Sequence, residues 1–107
     1  MLDWLAVGDH PSLPDYAGPT VHNIVPALIG RRGSAELPSW MPADVRPARQ
    51  VVLLLIDGLG WEQLQARRHL APVLCSLTGR PIHTVVPSTT ATALTSISTG
   101  LTPGEHG

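Results

Sequence analysis

A run of six apolar residues, followed at once by an aspartate and two glycines, constrains the fold of this chain more than any other feature. The sequence reads VVLLLIDGLG over residues 51–60, and its apolar part does not alternate with polar residues. A strand that is covered on both faces has this pattern, and parallel sheets are built from such strands. The segment therefore predicts a buried strand that ends at Asp57.

The segments after this strand predict an alternation of helix and strand. The stretch GWEQLQARRHL favours a helix that Pro72 interrupts or restarts, and PIHTVVP favours a second short strand. The stretch TATALTSISTG then favours a helix that ends at Gly100. The order strand–helix–strand–helix implies a βαβ unit with a right-handed crossover. We therefore expect an α/β fold, with this chain forming the βαβα portion of a parallel sheet.

The first fifty residues differ from the rest and predict a lead-in to that sheet. Residues 1–20 are rich in proline and glycine, which favours irregular chain. The stretch TVHNIVPALIG favours a short helix with Thr20 as its N-cap and Gly30 at its end. A turn-rich loop follows. We therefore divide the chain into a lead-in, residues 1–50, and the first part of the main domain, residues 51–107.

Composition excludes several classes of function. The net charge is −1 over 107 residues, so strong attraction to nucleic acid or to an anionic membrane is not expected. The chain has no lysine, which excludes the lysine-containing phosphate loop of nucleotide-hydrolysing enzymes. A single cysteine, Cys75, excludes an internal disulfide and a multi-cysteine zinc site. No basic leader and no apolar run of about 20 residues is present, so a cytoplasmic protein is expected.

Polar side chains follow both predicted strands, where ligands gather in an open parallel sheet. Asp57 follows the first strand, and Thr89 and Thr90 follow the second. Because parallel strands end at the same edge of a sheet, these side chains can be neighbours in space. A carboxylate beside a hydroxyl suits a divalent cation, which makes the hydroxyl easier to deprotonate and so more nucleophilic. The pattern predicts a metal ligand at Asp57 next to a threonine nucleophile.

Structural interpretations of the same residues remain open at this point. An aspartate after a strand is often a turn residue or a helix N-cap. Threonines that precede a helix are more often caps than nucleophiles. The whole run of hydroxyl residues between 88 and 99 could form a solvated helix face whose hydroxyls bond to the backbone.

Two motifs taken together resemble one enzyme family. The apolar strand that ends in Asp-Gly is followed by PSTT at residues 87–90, by TG at 99–100 and by PGEHG at 103–107. This combination resembles the alkaline phosphatase superfamily, and within it the type I phosphodiesterase/nucleotide pyrophosphatase family. Counting back from the TG pair places the nucleophile of the family on Thr90.

The resemblance implies metal-dependent hydrolysis of phosphodiesters or phosphomonoesters through a phospho-threonine intermediate. Asp57 corresponds to the first metal-ligand aspartate, and Asp57 and Thr90 would bind one of two divalent metal ions, expected to be zinc. Thr90 would attack the phosphorus of a small phosphate-ester substrate. His106 falls on a position that looks structural.

The chain departs from the family pattern in two respects. The asparagine that usually follows the nucleophile by a few residues is replaced by Ala93, which puts nucleotide recognition in doubt. The family's other metal ligands correspond to positions beyond Gly107, so we expect an N-terminal fragment that is inactive alone and an enzyme in full-length form. The alternatives are a non-catalytic α/β module that binds an anion or a nucleotide, and a pseudoenzyme fragment.

Overall fold

The computed structural model describes residues 12–33 and 36–107, and its regular structure is helical. The α-helices in this part of the chain are α1 (Ile24–Gly30), α2 (Trp61–Ala66), α3 (Pro72–Ser76), α4 (Thr90–Thr99) and α5 (Pro103–His106). Short 3-10 turns span Val21–Asn23, Ala43–Val45 and Arg68–Leu70. The predicted helices near residues 20, 61, 72 and 90 are therefore present.

The predicted parallel sheet is wrong, because the described residues contain no sheet. Residues 51–56 run without regular structure, and their side chains are largely exposed, with Val52 at 90% and Leu54 at 76% of full exposure. A strand needs a neighbour to accept and donate its backbone hydrogen bonds. The apolar pattern predicts burial on two faces, but the described residues leave this segment largely exposed.

The second predicted strand is also wrong, although one backbone bridge forms within it. His83 pairs in parallel with Thr20, because the His83 N–H donates to the Pro19 carbonyl and the His83 carbonyl accepts from Val21, both at 2.9 Å. The Tyr16 hydroxyl accepts a bond of 3.1 Å from the Val86 N–H. These contacts fix residues 82–86 against the chain that leads into α1.

The buried centre of the described residues is small and partly polar. Val85 is fully buried and Ile97 is 8% exposed, and they lie with the buried polar residues Thr20, His22 and Ser96. Thr20 Oγ1 and His22 Nδ1 are 2.7 Å apart, so the buried hydroxyl has a partner. Helix α4 packs on the 3-10 turn at Val21–Asn23 and on α1. This packing fixes the position of the first residue of α4, where the candidate site begins.

Gly100 ends α4 in a conformation that other residues rarely adopt. Its φ is 71°, and its N–H donates to the Ser96 carbonyl at 2.9 Å. A Cβ added to Gly100 would lie 2.7 Å from Pro26 Cγ. We expect Gly100→Ala to lower the free energy of unfolding by about 2–4 kcal/mol, because it combines a strained backbone with overpacking against α1. Urea unfolding followed by circular dichroism measures the change.

Gly104→Ala is the matched control for this substitution. Gly104 lies within α5, and a Cβ added there meets no atom within 4 Å. Alanine favours a helix over glycine, so the urea midpoint should stay the same or rise. Equal effects of the two substitutions would contradict the contact between Gly100 and α1.

Helix α5 is capped at its start and tied to α4 at its end. The N–H and the hydroxyl of Thr102 donate to Glu105 Oε2 at 2.8 and 2.9 Å. The bond from the N–H is the one that a glutamate at the third helical position makes in a capping box. These two hydrogen bonds hold the pKa of Glu105 below its usual value, and the bond from the Thr102 N–H has the larger effect. His106 Nε2 and Ser96 Oγ are 2.8 Å apart. His106 therefore makes a contact between the two helices.

Candidate functional site

Thr90 is the first residue of the longest helix in the described part of the chain. Thr89 before it is extended, with φ −74° and ψ 151°, and occupies the N-cap position of α4. The Thr89 hydroxyl donates to the Thr92 hydroxyl at 2.9 Å, so it does not cap the helix. The Thr90 hydroxyl is free to face the chain that follows the apolar run.

Asp57 lies opposite Thr90 because the chain turns directly after it. Gly58 has a φ of 72°, and a Cβ added there would meet no atom within 4 Å. The glycine is therefore required by the backbone conformation of the turn and not by lack of space. Thr90 Oγ1 and Asp57 Oδ2 are 3.4 Å apart, and both residues are exposed. The structure thus brings the two predicted site residues together although they are far apart in sequence.

A cleft of about 530 Å³ contains both side chains. Its floor and walls include apolar residues of the run 51–56 and of α4, and its other polar side chains include Ser88 and Gln63. Sequence reasoning did not select Ser88 or Gln63 as site residues. Ser88 lies inside the PSTT motif, which could have indicated it. Gln63 lies in an ordinary amphipathic helix, and nothing in its sequence context indicates a site.

The separation of the two oxygens is long for a direct hydrogen bond and leaves room for a shared metal ion. Hydroxyl-to-oxygen bonds are usually about 2.5–3.0 Å long, so a contact of 3.4 Å is weak. Two oxygen ligands at about 2.1 Å from a tetrahedral zinc ion would lie about 3.4 Å from each other. A carboxylate and a hydroxyl are oxygen donors that divalent cations accept. The pair therefore fits half of a metal site.

The described residues do not provide a complete metal site. No group of three or more histidine, cysteine, aspartate or glutamate side chains is placed to hold an ion within residues 12–33 and 36–107. Ligands in addition to Asp57 and Thr90 would be water, substrate or residues outside this part of the chain.

Backbone N–H groups at the start of α4 add a second feature that favours anions. The first hydrogen bond of the helix runs from the Ala93 N–H to the Thr89 carbonyl at 2.9 Å. The N–H groups of the three residues before Ala93 therefore have no acceptor within the helix. Together with the helix dipole, they favour negative charge beside the Thr90 hydroxyl.

Comparison with known protein families matches the second half of the chain. The family model for type I phosphodiesterase / nucleotide pyrophosphatase matches residues 51–107, more than half of the chain. The chain belongs to this family. Members of the type I phosphodiesterase family act on small phosphate-ester or nucleotide substrates and are generally metal-dependent. The searches of curated proteins and of solved structures gave no match.

The matched region contains both predicted site residues and the whole of α4 and α5. Ala93, which stands where the type I phosphodiesterase family usually has asparagine, lines the same cleft as Thr90. It therefore presents a methyl group to the cleft in place of an amide. Within the described residues, no helix is long and apolar enough to cross a membrane.

Proposed function

We propose that this chain carries the nucleophile and the first metal ligand of an enzyme that hydrolyses phosphodiesters or phosphomonoesters through a phospho-threonine intermediate. The observation that supports this most directly is the 3.4 Å separation between Thr90 Oγ1 and Asp57 Oδ2 at the start of α4. The family match over residues 51–107 supports the same chemistry.

The roles of the two residues follow from their chemistry. Asp57 supplies a negatively charged oxygen, and Thr90 supplies a hydroxyl that is a weak nucleophile while it keeps its proton. Asp57 and Thr90 would hold one of the two divalent cations that the family resemblance implies, expected to be zinc. Such a cation would supply the positive charge that favours loss of this proton. Both side chains line the same cleft, which would admit the substrate.

The first step forms a bond from Thr90 Oγ1 to the phosphorus of the substrate. The bond from phosphorus to the leaving oxygen breaks at the same time. The proton lost by the Thr90 hydroxyl passes to solvent, and the departing oxygen takes up one proton from solvent in exchange. Negative charge on the phosphoryl oxygens is stabilised by the free N–H groups at the start of α4. The product of this step is Thr90 bearing a phosphoryl group, which keeps its second ester when the substrate is a phosphodiester.

The second step returns the enzyme to its starting state. A water molecule attacks the phosphorus, the bond to Thr90 Oγ1 breaks, and the hydroxyl regains a proton. One ester bond is broken for each water molecule that is consumed. Because Ala93 offers no amide to the phosphoryl oxygens, the helix N–H groups would carry more of their stabilisation, and the substitution puts nucleotide recognition in doubt.

Removal of the metal tests this function. The protein expressed from its gene should hydrolyse bis(4-nitrophenyl) phosphate or 4-nitrophenyl phosphate, lose this activity in EDTA and regain it when Zn²⁺ is added. Hydrolysis that persists after dialysis against EDTA would contradict the metal-dependent mechanism. Saturable binding of phosphate esters by the protein with Zn²⁺ added, without hydrolysis, would favour the alternative of a binding module.

A further inference from the structure

A concentration of arginine between residues 31 and 49 is not used by the proposed reaction. This segment contains four of the seven arginines of the chain and two acidic residues, Glu36 and Asp44, so its local charge is 4 − 2 = +2 while the whole chain carries −1. The arginines are Arg31, Arg32, Arg46 and Arg49. We call these four side chains the arginine cluster.

The cluster is held together by backbone carbonyls. Arg31 donates through Nη1 to the Leu28 carbonyl at 2.7 Å and through Nη2 to the Ala48 carbonyl at 3.4 Å. Arg32 donates through Nη2 to the carbonyls of Ala48 and Arg49 at 3.2 and 2.8 Å. These bonds fasten the loop that follows α1 to the chain before the apolar run, and they place Arg32 beside Arg49.

Several strong donors of the cluster remain unused. A guanidinium has five N–H donors, and both bonds of Arg32 come from a single nitrogen. Arg31 Nε is buried without a partner. In the described part of the chain, no carboxylate accepts a hydrogen bond from Arg31, Arg32 or Arg49, and the Arg49 guanidinium makes no hydrogen bond there. The like charges of Arg32 and Arg49 repel one another, and a bound anion relieves this repulsion.

We propose that Arg32 and Arg49 form a binding site for the phosphate group of a small phosphorylated molecule. These two residues and Gln50 line a cleft of about 500 Å³, which is within the range of small-molecule sites. The planar guanidinium matches two phosphate oxygens at once, and the Gln50 amide can donate to a third. The local charge of +2 is small for nucleic acid, which is bound by broader basic surfaces.

This site is separate from the one that carries the proposed function. Among the described residues, its cleft shares no lining residue with the cleft of Asp57 and Thr90, and it requires neither a metal ion nor a nucleophile. Failure of one assignment therefore leaves the other intact, and the two are separated by substitutions in each cleft.

Titration with inorganic phosphate at constant ionic strength tests the proposal, with backbone and guanidinium NMR signals followed for each residue. Signals of Arg32, Arg49 and Gln50 should shift and saturate in the unsubstituted chain. Arg49→Gln should weaken this binding roughly tenfold or more, because it removes charge-assisted bonds. Arg49→Lys should restore part of the loss, since lysine keeps the charge without the planar fork.

Two further variants serve as controls. Arg68→Gln makes the same change at an exposed arginine outside the cleft, and it should leave phosphate binding at Gln50 unchanged. Thr90→Val changes the other cleft, and it should leave the phosphate-dependent shifts at Arg32 and Gln50 the same.

Three results would overturn the proposal. They are the absence of saturable shifts at Arg32 and Gln50, equal shifts with chloride alone, and equal binding by the Arg49→Gln and Arg68→Gln variants. A single-stranded RNA that binds the cleft more tightly than phosphate, with a steep dependence on salt, would overturn the assignment to a small molecule.

Discussion

Thr90→Val is expected to reduce hydrolysis of bis(4-nitrophenyl) phosphate by about 10³-fold or more. Valine keeps the branched shape of threonine at the first position of α4, and it removes the Oγ1 atom that lies 3.4 Å from Asp57 Oδ2. Loss of the atom that we propose as the nucleophile removes the covalent route, and the remaining rate reflects binding and charge stabilisation alone. Thr90→Ser keeps a hydroxyl and should retain a measurable part of the activity.

Thr89→Val is the matched control, because it removes a hydroxyl one residue away from the proposed nucleophile. The Thr89 hydroxyl contacts Thr92, and no contact to Asp57 is found for it among the described residues. We expect its loss to change the rate by less than about threefold, since an exposed pair of neutral hydroxyls contributes little. Strong loss in Thr89→Val together with activity in Thr90→Val would place the nucleophile on Thr89.

Asp57→Asn is expected to weaken divalent metal binding by about tenfold or more and to reduce hydrolysis accordingly. Asparagine has the same shape but no charge, so the cleft keeps its form while the attraction for the cation falls. Isothermal titration with Zn²⁺ or Mn²⁺ measures the affinity without reference to activity. Thr90→Val should also weaken metal binding, but less, because it removes a neutral ligand.

Asp44→Asn provides the control for charge. Asp44 is exposed within the 3-10 turn at Ala43–Val45, and its substitution changes the net charge by the same amount. Its metal affinity should equal that of the unsubstituted protein. Equal affinities of the Asp57→Asn and Asp44→Asn variants would exclude Asp57 as a metal ligand.

The helices could be predicted from the sequence because their signals are local. Gly100 ends α4 with a positive φ, as expected for a helix-ending glycine. Pro72 starts α3, which agrees with the fixed φ and missing N–H of proline. Pro26 is tolerated because it is the third residue of α1, within the first turn.

The lack of a sheet in the described residues could not be predicted from the sequence, because pairing of strands depends on non-local contacts. The run at residues 51–56 has the composition of a buried strand, but it is exposed in the described structure. The composition of a segment shows that it favours burial, but it does not show whether a neighbouring strand is present to bury it.

The proximity of Asp57 and Thr90 arises by a different route from the one that the sequence suggested. We expected the two residues to meet because parallel strands end at one edge of a sheet. In the structure, a turn at Gly58 and the packing of α4 on the 3-10 turn at Val21–Asn23 bring them together without a sheet. The glycine after Asp57 and the start of a helix at Thr90 are local features of the sequence. The predicted parallel sheet was wrong, and it is not what brings the two residues together.

Other features depend on long-range contacts or on signals that were present but not used. The TPGE segment at residues 102–105 has the spacing of a capping box, and sequence reasoning could have found it. The arginine cluster could not be found in this way. Arg32 and Arg49 are 17 positions apart, and only the folded loop places them on one cleft.

Identification of the phosphorylated residue tests the central claim most directly. The protein is mixed with bis(4-nitrophenyl) phosphate and Zn²⁺, quenched in acid during turnover, digested and analysed by tandem mass spectrometry. We expect one 4-nitrophenylphosphoryl group on Thr90, because one ester of the diester remains on phosphorus after the first step, and none on the corresponding peptide of the Thr90→Val variant. The same group on Ser88, Thr89 or Thr92, or continued hydrolysis with no covalently modified peptide, would contradict the assignment.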